Sequence, residues 1–243
     1  MPNINATKYA LGTGTMTQNF TTARESDSAT HTDNSTSSNI GAIQFFRDSG
    51  KGATNYKFHR LFCTFDFSSY TSGTMTNLVF NYRATTSTGN TGALERRVAI
   101  VKFDGMGSGP SFSNYQDSEF FDDIDYSTPY TVVSGFSIPE WTDANSDATI
   151  AMNSTAISDA QSNGELKIAV VQYQNDYNGT DASGDVFYDY HANFSTGASG
   201  FVPFVSFDFV ASYGNDVIGV SSGNIAKVKG VATANIANVI GVS

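Results

Sequence analysis

The chain is poor in several things at once: one cysteine, one tryptophan, five prolines, and only 15% charged residues. A single cysteine, Cys63, excludes an internal disulfide, and its place in Leu61-Phe62-Cys63-Thr64-Phe65 marks it as a small core residue. Basic residues are scarce, 13 Lys and Arg against 23 Asp and Glu, for a net charge of -10. That balance argues against nucleic acid and against anionic membrane surfaces as partners. No run of about 18 apolar residues is present, so no helix of this sequence is apolar enough to cross a bilayer. Met1-Pro2-Asn3-Ile4-Asn5 has neither a basic nor an apolar stretch of the secretory kind, and the expectation is a protein made and retained in the cytoplasm or released by lysis. Helical periodicity is also nearly absent.

What is present is glycine (22), phenylalanine (19), tyrosine (12) and many hydroxyl and amide side chains in 243 residues. This length suits one large β domain or two small ones. With so few charges, the surface must be built mostly of neutral polar groups. Large apolar residues alternate with period two in short segments bounded by Gly, Ser, Asn and Asp. Strands are expected at Leu61 to Phe67, Leu78 to Tyr82, Val98 to Phe103, Leu166 to Tyr173, Val186 to Tyr190 and Val202 to Val210. Together they predict an all-β, antiparallel, jelly-roll-like sandwich with an aromatic core. The turn cluster Asp104 to Pro110, the acidic stretch Asp117 to Asp125, and the stretch opened by Pro139-Glu140-Trp141 are expected as surface loops, with one short helix over Ala156 to Ala160.

After Ser212 the composition changes, and no aromatic follows Tyr213. Ile218-Gly219-Val220-Ser221-Ser222-Gly223-Asn224-Ile225-Ala226-Lys227-Val228 is followed in phase by Lys229-Gly230-Val231-Ala232-Thr233-Ala234-Asn235-Ile236-Ala237-Asn238-Val239 and then Ile240-Gly241-Val242, a period of 11. The unit reads as a helical turn through Asn-Ile-Ala-x-Val and an extended link. A little over two such units cannot bury Ile218, Val220, Ile225, Val228, Val231, Ile236, Val239 and Val242 by themselves. The division is therefore residues 1–212 as a sandwich and 213–243 as a docking or anchor segment.

Catalytic spacing is missing. His31, His59 and His191 lie far apart, and Gly105-Met106-Gly107-Ser108-Gly109 lacks the Lys and helix of a phosphate loop. The expectation is a non-enzymatic protein without cofactor. Candidate oxygen ligands for Ca²⁺ are Asp122, Asp123 and Asp125, and separately Asp176, Asn178, Asp181 and Asp185, although neither set has EF-hand spacing. Trp141, Tyr177 and Tyr190 are candidate sugar-stacking aromatics.

Gly41-Ala42-Ile43-Gln44-Phe45, then His59-Arg60-Leu61-Phe62-Cys63-Thr64-Phe65-Asp66-Phe67-Ser68-Ser69 and Thr76-Asn77-Leu78-Val79-Phe80, resemble the core of the DNRLRE-type, carbohydrate-binding-module-like β-sandwich. Phe201-Val202-Pro203-Phe204-Val205-Ser206-Phe207 is similar to that family's closing strand, and the likeness spans roughly residues 20 to 210. Phe67 stands where that pattern has leucine, and no ligand-binding residue carries over. The Asn224-Ile225-Ala226-Lys227-Val228-Lys229-Gly230-Val231 tail resembles those ending virion structural proteins of marine tailed phages. The second resemblance implies a non-enzymatic virion protein shown on the particle exterior, as capsid decoration, head fibre or tail appendage, assembled in the host cytoplasm with other capsid or tail proteins. Strand edges rich in Thr and Ser with few Lys, and a tail unable to bury itself, favour a homo-oligomer, and the resemblance implies a trimer, the usual state of such fibres. The first resemblance implies the alternative, a module that binds host surface glycans.

Overall fold

A computed structural model of the chain describes residues 1–14, 16–25, 29–33, 39–40, 44–49, 53–84, 98–105, 121, 123–131, 146–182, 186–188, 194–195, 202–212, 227–228 and 231–232. In chain order the strands are β1 (Asn3–Asn5), β2 (Lys8–Gly14), β3 (Ala29–Asp33), β4 (Asn39–Ile40), β5 (Gln44–Asp48), β6 (Asn55–Asp66), β7 (Gly73–Ala84) and β8 (Val98–Phe103). They continue with β9 (Ile124–Pro129), β10 (Ser146–Ala151), β11 (Glu165–Gln172), β12 (Val186–Tyr188), β13 (Phe194–Ser195), β14 (Phe204–Ala211), β15 (Lys227–Val228) and β16 (Val231–Ala232). Two helices, α1 (Phe20–Arg24) and α2 (Ser154–Asn163), lie between them.

The fold is all-β, with two antiparallel sheets in a β-sandwich arrangement. One sheet has the order β1-β14-β7-β10, and the other runs β12-β5-β6-β11-β8-β9 with β2 and β3 added beside β6. Leu61, Cys63 and Phe65 of β6, Ile168 and Val170 of β11, Leu78, Phe80 and Tyr82 of β7, and Val205 and Phe207 of β14 fill the space between the sheets. Cys63 is a free thiol there, fully buried, and burial pushes its pKa well up. The larger sheet has a second apolar face. Phe45, Phe58, Phe62, Ala99, Val101, Phe103, Ala169 and Val171 form another core, covered by Phe20 and Ala23 of α1, by Phe121, and by Tyr126, Tyr173 and Tyr177.

Strand β6 therefore changes character along its length. Tyr56, Phe58 and Arg60 are buried while Lys57 and His59 are half-buried, and from Leu61 to Phe65 every residue is buried. Alternation gives way to a continuous run where sheets or loops cover both faces. Gly12 of β2 belongs to the same crowding: a Cβ there would sit 2.7 Å from a Phe62 ring carbon and 2.9 Å from one of Phe121. Real Cβ atoms do not approach so closely, so the ring packing requires glycine.

The expected strands are found, with the one over Val186 described to Tyr188, and the expected helix extends to Ser154–Asn163. Its start is capped by Asn153 Oδ1 accepting from the Ala156 amide at 3.1 Å, and Gly164 ends it with φ +66°. Several elements were not expected. The end of the acidic stretch expected as a loop enters strand β9, with Asp125 paired opposite Lys102 and Ile124 opposite Phe103. Strand β10 arises in the second stretch expected to be irregular and, among the described residues, pairs only with β7. Both are edge strands, whose one covered face needs few apolar residues and whose charges deter further pairing. In the tail, Lys227 and Val228 form an antiparallel ladder with Ala232 and Val231, so the last two residues of the expected helical turn are strand instead, while Asn224, Ile225 and Ala226 lie outside the described residues.

Adjacent substitutions probe the two cores through one strand. Leu61→Ala empties the inter-sheet side of β6 and Phe62→Ala the other, at an expected cost of roughly 2–5 and 3–5 kcal/mol respectively. Because β6 belongs to both cores, urea unfolding of each variant is expected to stay a single transition. A biphasic curve would show that the cores melt separately.

Candidate functional site

Arg60 lies on β6 between Phe58 and Phe62, on the face away from the smaller sheet, and is completely buried. A guanidinium there is tolerable only with a counterion and satisfied N–H groups. The counterion is Asp176, also completely buried. Arg60 Nε donates to Asp176 Oδ2 at 2.8 Å and Nη2 to Oδ1 at 2.8 Å, a fork-to-fork pair. Tyr126 of β9 donates its hydroxyl to Asp176 Oδ1 at 2.7 Å. Burial works against the charge of Arg60, yet the Asp176 carboxylate outweighs it and holds the guanidinium pKa above its ordinary value. Burial likewise pushes the Tyr126 phenol pKa upward.

Asp176 reaches this position because β11 runs into a π-helical turn, Tyr173–Tyr177. Gln172 Oε1 accepts from the amides of Asn175 (2.6 Å) and Asp176 (3.2 Å), which fixes the turn's entry. Asn175 Nδ2 donates to the Thr180 carbonyl at 2.7 Å and holds its exit. Helix α1 is tied to the same turn. Arg24 Nε donates to the Asp176 carbonyl at 2.6 Å, its guanidinium lies 4.0 Å above the Tyr126 ring, and its own carbonyl accepts from Arg60 Nη2 at 2.7 Å. One guanidinium thus bridges a strand, a helix end and a turn. Among the described residues Arg60 Nη1 has no hydrogen-bond partner; the guanidinium sits 3.8 Å from the centroid of the Phe121 ring, so a cation–π contact covers it.

The residues expected to act at the surface fall in varied places. Asp176 is committed to Arg60 and Tyr126. Asp181 is half exposed and accepts from the Tyr56 hydroxyl at 2.9 Å, with Arg47 Nε 3.8 Å away. Tyr177 is half-buried, stacked on Tyr173 with centroids 5.8 Å apart and planes at 21°, and packed against the second core. Asp123 lies beside the β8 exit, its carbonyl accepting from the Asp104 amide at 2.9 Å. Asp125 accepts from the Ser127 amide at 2.9 Å and hydroxyl at 2.5 Å. Among the described residues, no three His, Cys, Asp or Glu side chains are grouped to hold a metal ion. Trp141, Tyr190, Asp122, Asp185, Ile218, Val220, Ile225, Ile236, Val239 and Val242 lie outside the described residues. Val228 and Val231 are described and face each other in the β15–β16 ladder.

A second feature had no signal in the sequence. A cavity of about 240 Å³ lies at the end of the sandwich, lined by Lys102, Phe103, Asp104, Tyr130, Asp159, Asn163, Glu165 and Lys167. Antiparallel pairing sets the exit of β8 beside the entry of β11, with Ile168 opposite Lys102. That register brings together two ion pairs, Lys102 with Asp104 and Lys167 with Glu165, each at 3.4 Å. Helix α2 adds Asp159 and Asn163, one turn apart on one side. Tyr130 is fixed through its backbone, its amide donating to Ile100 and its carbonyl accepting from Asn153, both at 2.8 Å. Its hydroxyl donates to Asp159 Oδ2 at 2.7 Å.

No family model matches the chain, and no curated protein matches it with significance.

Removing one member of the buried pair leaves the other uncompensated. Asp176→Asn or Arg60→Ala is expected to cost roughly 3–5 kcal/mol in denaturant unfolding, while the double change Arg60→Met with Asp176→Leu recovers most of that loss. The Ser127 hydroxyl is the main cause holding the Asp125 carboxyl below its ordinary pKa, against an opposing effect of burial. Its contribution to stability is present above the unfolded-state pKa and is lost as pH falls through the lower folded value. Ser127→Ala is expected to raise the Asp125 pKa in a carbon-detected NMR titration.

Proposed function

We propose that the chain is a non-enzymatic structural protein of a tailed-phage virion, displayed on the particle exterior as a capsid decoration, head fibre or tail appendage. Residues 1–212 form a jelly-roll-like sandwich that is displayed, and residues 213–243 anchor it as a homo-oligomer, most simply a trimer. The observation that carries this reading is the 11-residue repeat, with Gly219, Gly230 and Gly241 in phase and Ile and Val at matching positions. Each apolar side chain of that kind is worth roughly 1.5–3 kcal/mol when fully buried, and ordering the backbone costs about 1–2 kcal/mol per residue. Such a segment orders fully only against a partner surface.

Two further features support the reading. The tail has one carboxylate, Asp216, against Lys227 and Lys229, whereas the chain as a whole carries a charge of -10. Its character thus differs from that of the body it follows. Among the described residues, no member of either apolar core or its packed fringe lies beyond Phe209, and β14 ends at Ala211. Among the described residues, every strand of the two large sheets precedes the repeat.

The second reading, a module that binds host surface glycans, is favoured by the polar cavity beside α2. The two readings are compatible in a receptor-binding fibre.

A chain ending at Ser212 is expected to remain soluble and to unfold cooperatively, yet to fail to join particles and to sediment as a monomer where the full chain is oligomeric. Misfolding of the truncated chain, or its normal incorporation into particles, would overturn the anchor reading.

A further inference from the structure

The geometry points to the cavity at the β8 exit and β11 entry as a binding site for one neutral saccharide unit, either a free hexose or the end of a glycan chain. This inference rests on the carbohydrate-binding reading and names for it the residues lining this cavity, of which Tyr177 is not one. Volume sets the first limit. At about 240 Å³ the cavity is smaller than the roughly 300–1,000 Å³ of sites for drug-sized ligands, and it suits a single small ring.

Charge sets the second limit. Three carboxylates (Asp104, Asp159 and Glu165) face two ammonium groups (Lys102 and Lys167), so the lining is net negative and disfavours phosphate, sulfate or a uronic acid. A divalent cation is disfavoured as well, because no three acidic side chains among the described residues converge as ligands. An apolar ligand would strip water from two ion pairs with nothing to replace it.

A polyol meets the same groups favourably. Each hydroxyl donates one hydrogen bond and accepts up to two, and the lining alternates acceptors (Asp104, Glu165) with donors (Lys102, Lys167) and adds the Asn163 amide, which does both. The two ion pairs, at 3.4 Å, are longer than the roughly 2.7–2.9 Å of a full charge-assisted hydrogen bond. Their donors and lone pairs thus have capacity for a bridging hydroxyl. Asp159 is held in one orientation by the Tyr130 hydroxyl, and Tyr130 by backbone bonds to β8 and to Asn153 before α2. The site is accordingly preformed, which lowers the entropy lost on binding.

The test uses the full chain and three probes, the methyl α-glycosides of glucose, galactose and mannose, in saturation-transfer NMR, with sodium glucuronate as the anionic control. Lys102→Ala and Asp104→Asn alter side chains that are about one-third and more than half exposed, so the fold is expected to survive, checked by thermal unfolding. At least one neutral glycoside is expected to bind in roughly the millimolar range, and each variant to weaken it about tenfold with an unchanged melting temperature. A glycan array separates the two sources: tighter binding to immobilised chain ends identifies the glycan, and equal binding the free sugar. If no neutral glycoside binds, both the site and the carbohydrate reading fall. If binding survives in both cavity variants but is lost in Trp141→Ala, the site falls while the carbohydrate reading stands. Preference for glucuronate over the neutral sugars overturns the site as described.

Discussion

The pairing of Arg60 with Asp176 is the constraint on which the covered face of the larger sheet depends. A buried guanidinium without a partner would cost several kcal/mol, so the structure either excludes the arginine from the core or delivers a carboxylate to it. It does the latter, through a π-helical turn stapled by Gln172 and a short helix whose last residue, Arg24, binds the same turn. The remaining cover follows from this knot. Phe20 packs edge-on to Phe45, Tyr56 and Phe58, and Phe121 caps the guanidinium. An apolar pair in place of the ions would pack as well, but it would not specify where the turn and helix sit. The polar pair supplies direction where the surrounding rings supply area.

The two sheets were legible because a strand with one covered face prints its period on the sequence. Leu78, Phe80 and Tyr82 do so, and so do Val205 and Phe207. Legibility failed at the margins. Strand β2 reads Lys-Tyr-Ala-Leu-Gly-Thr-Gly because neighbouring rings leave no room for side chains at Gly12 and Gly14, so its signal was one of small residues. Strands β9 and β10 are edges, and their acidic and hydroxyl residues looked like loop. Arg60 left one trace that was read only as part of a family likeness: a charge in phase with Phe58 and Phe62 on an apolar face. Its partner lies 116 residues away, and no local pattern connects them. The same distance problem hides the cavity, whose lining runs from Lys102 to Lys167.

The outer face of the smaller sheet shows how a chain with few charges stays wet. Asn81 Nδ2 donates to Ser206 Oγ across β7 and β14 at 3.1 Å, and Asn77 Nδ2 to Asp208 at 2.6 Å. Amides, a hydroxyl and one carboxylate thereby satisfy one another along the ladder while leaving further donors and acceptors for water. Such a surface depends little on salt, because few of its interactions are between full charges. For a protein displayed on a particle exterior, as proposed, this is a favourable property.

The order β1-β14-β7-β10 places the last strand of the sandwich between its first strand and its seventh. Asn3 pairs with Ser206, and Val205 with Phe80, so the smaller sheet has no centre until residue 211 has left the ribosome. Until then, among the described strands, β7 has only β10 beside it in that sheet, and the inter-sheet side of the larger sheet is incompletely covered. The chain must therefore be held in an incomplete, association-prone state through most of its synthesis, at about 5–20 residues per second. Its yield in a cell is then set by how long that unfinished edge waits, a quantity governed by translation speed and chaperone supply, which the stability of the finished sandwich does nothing to shorten.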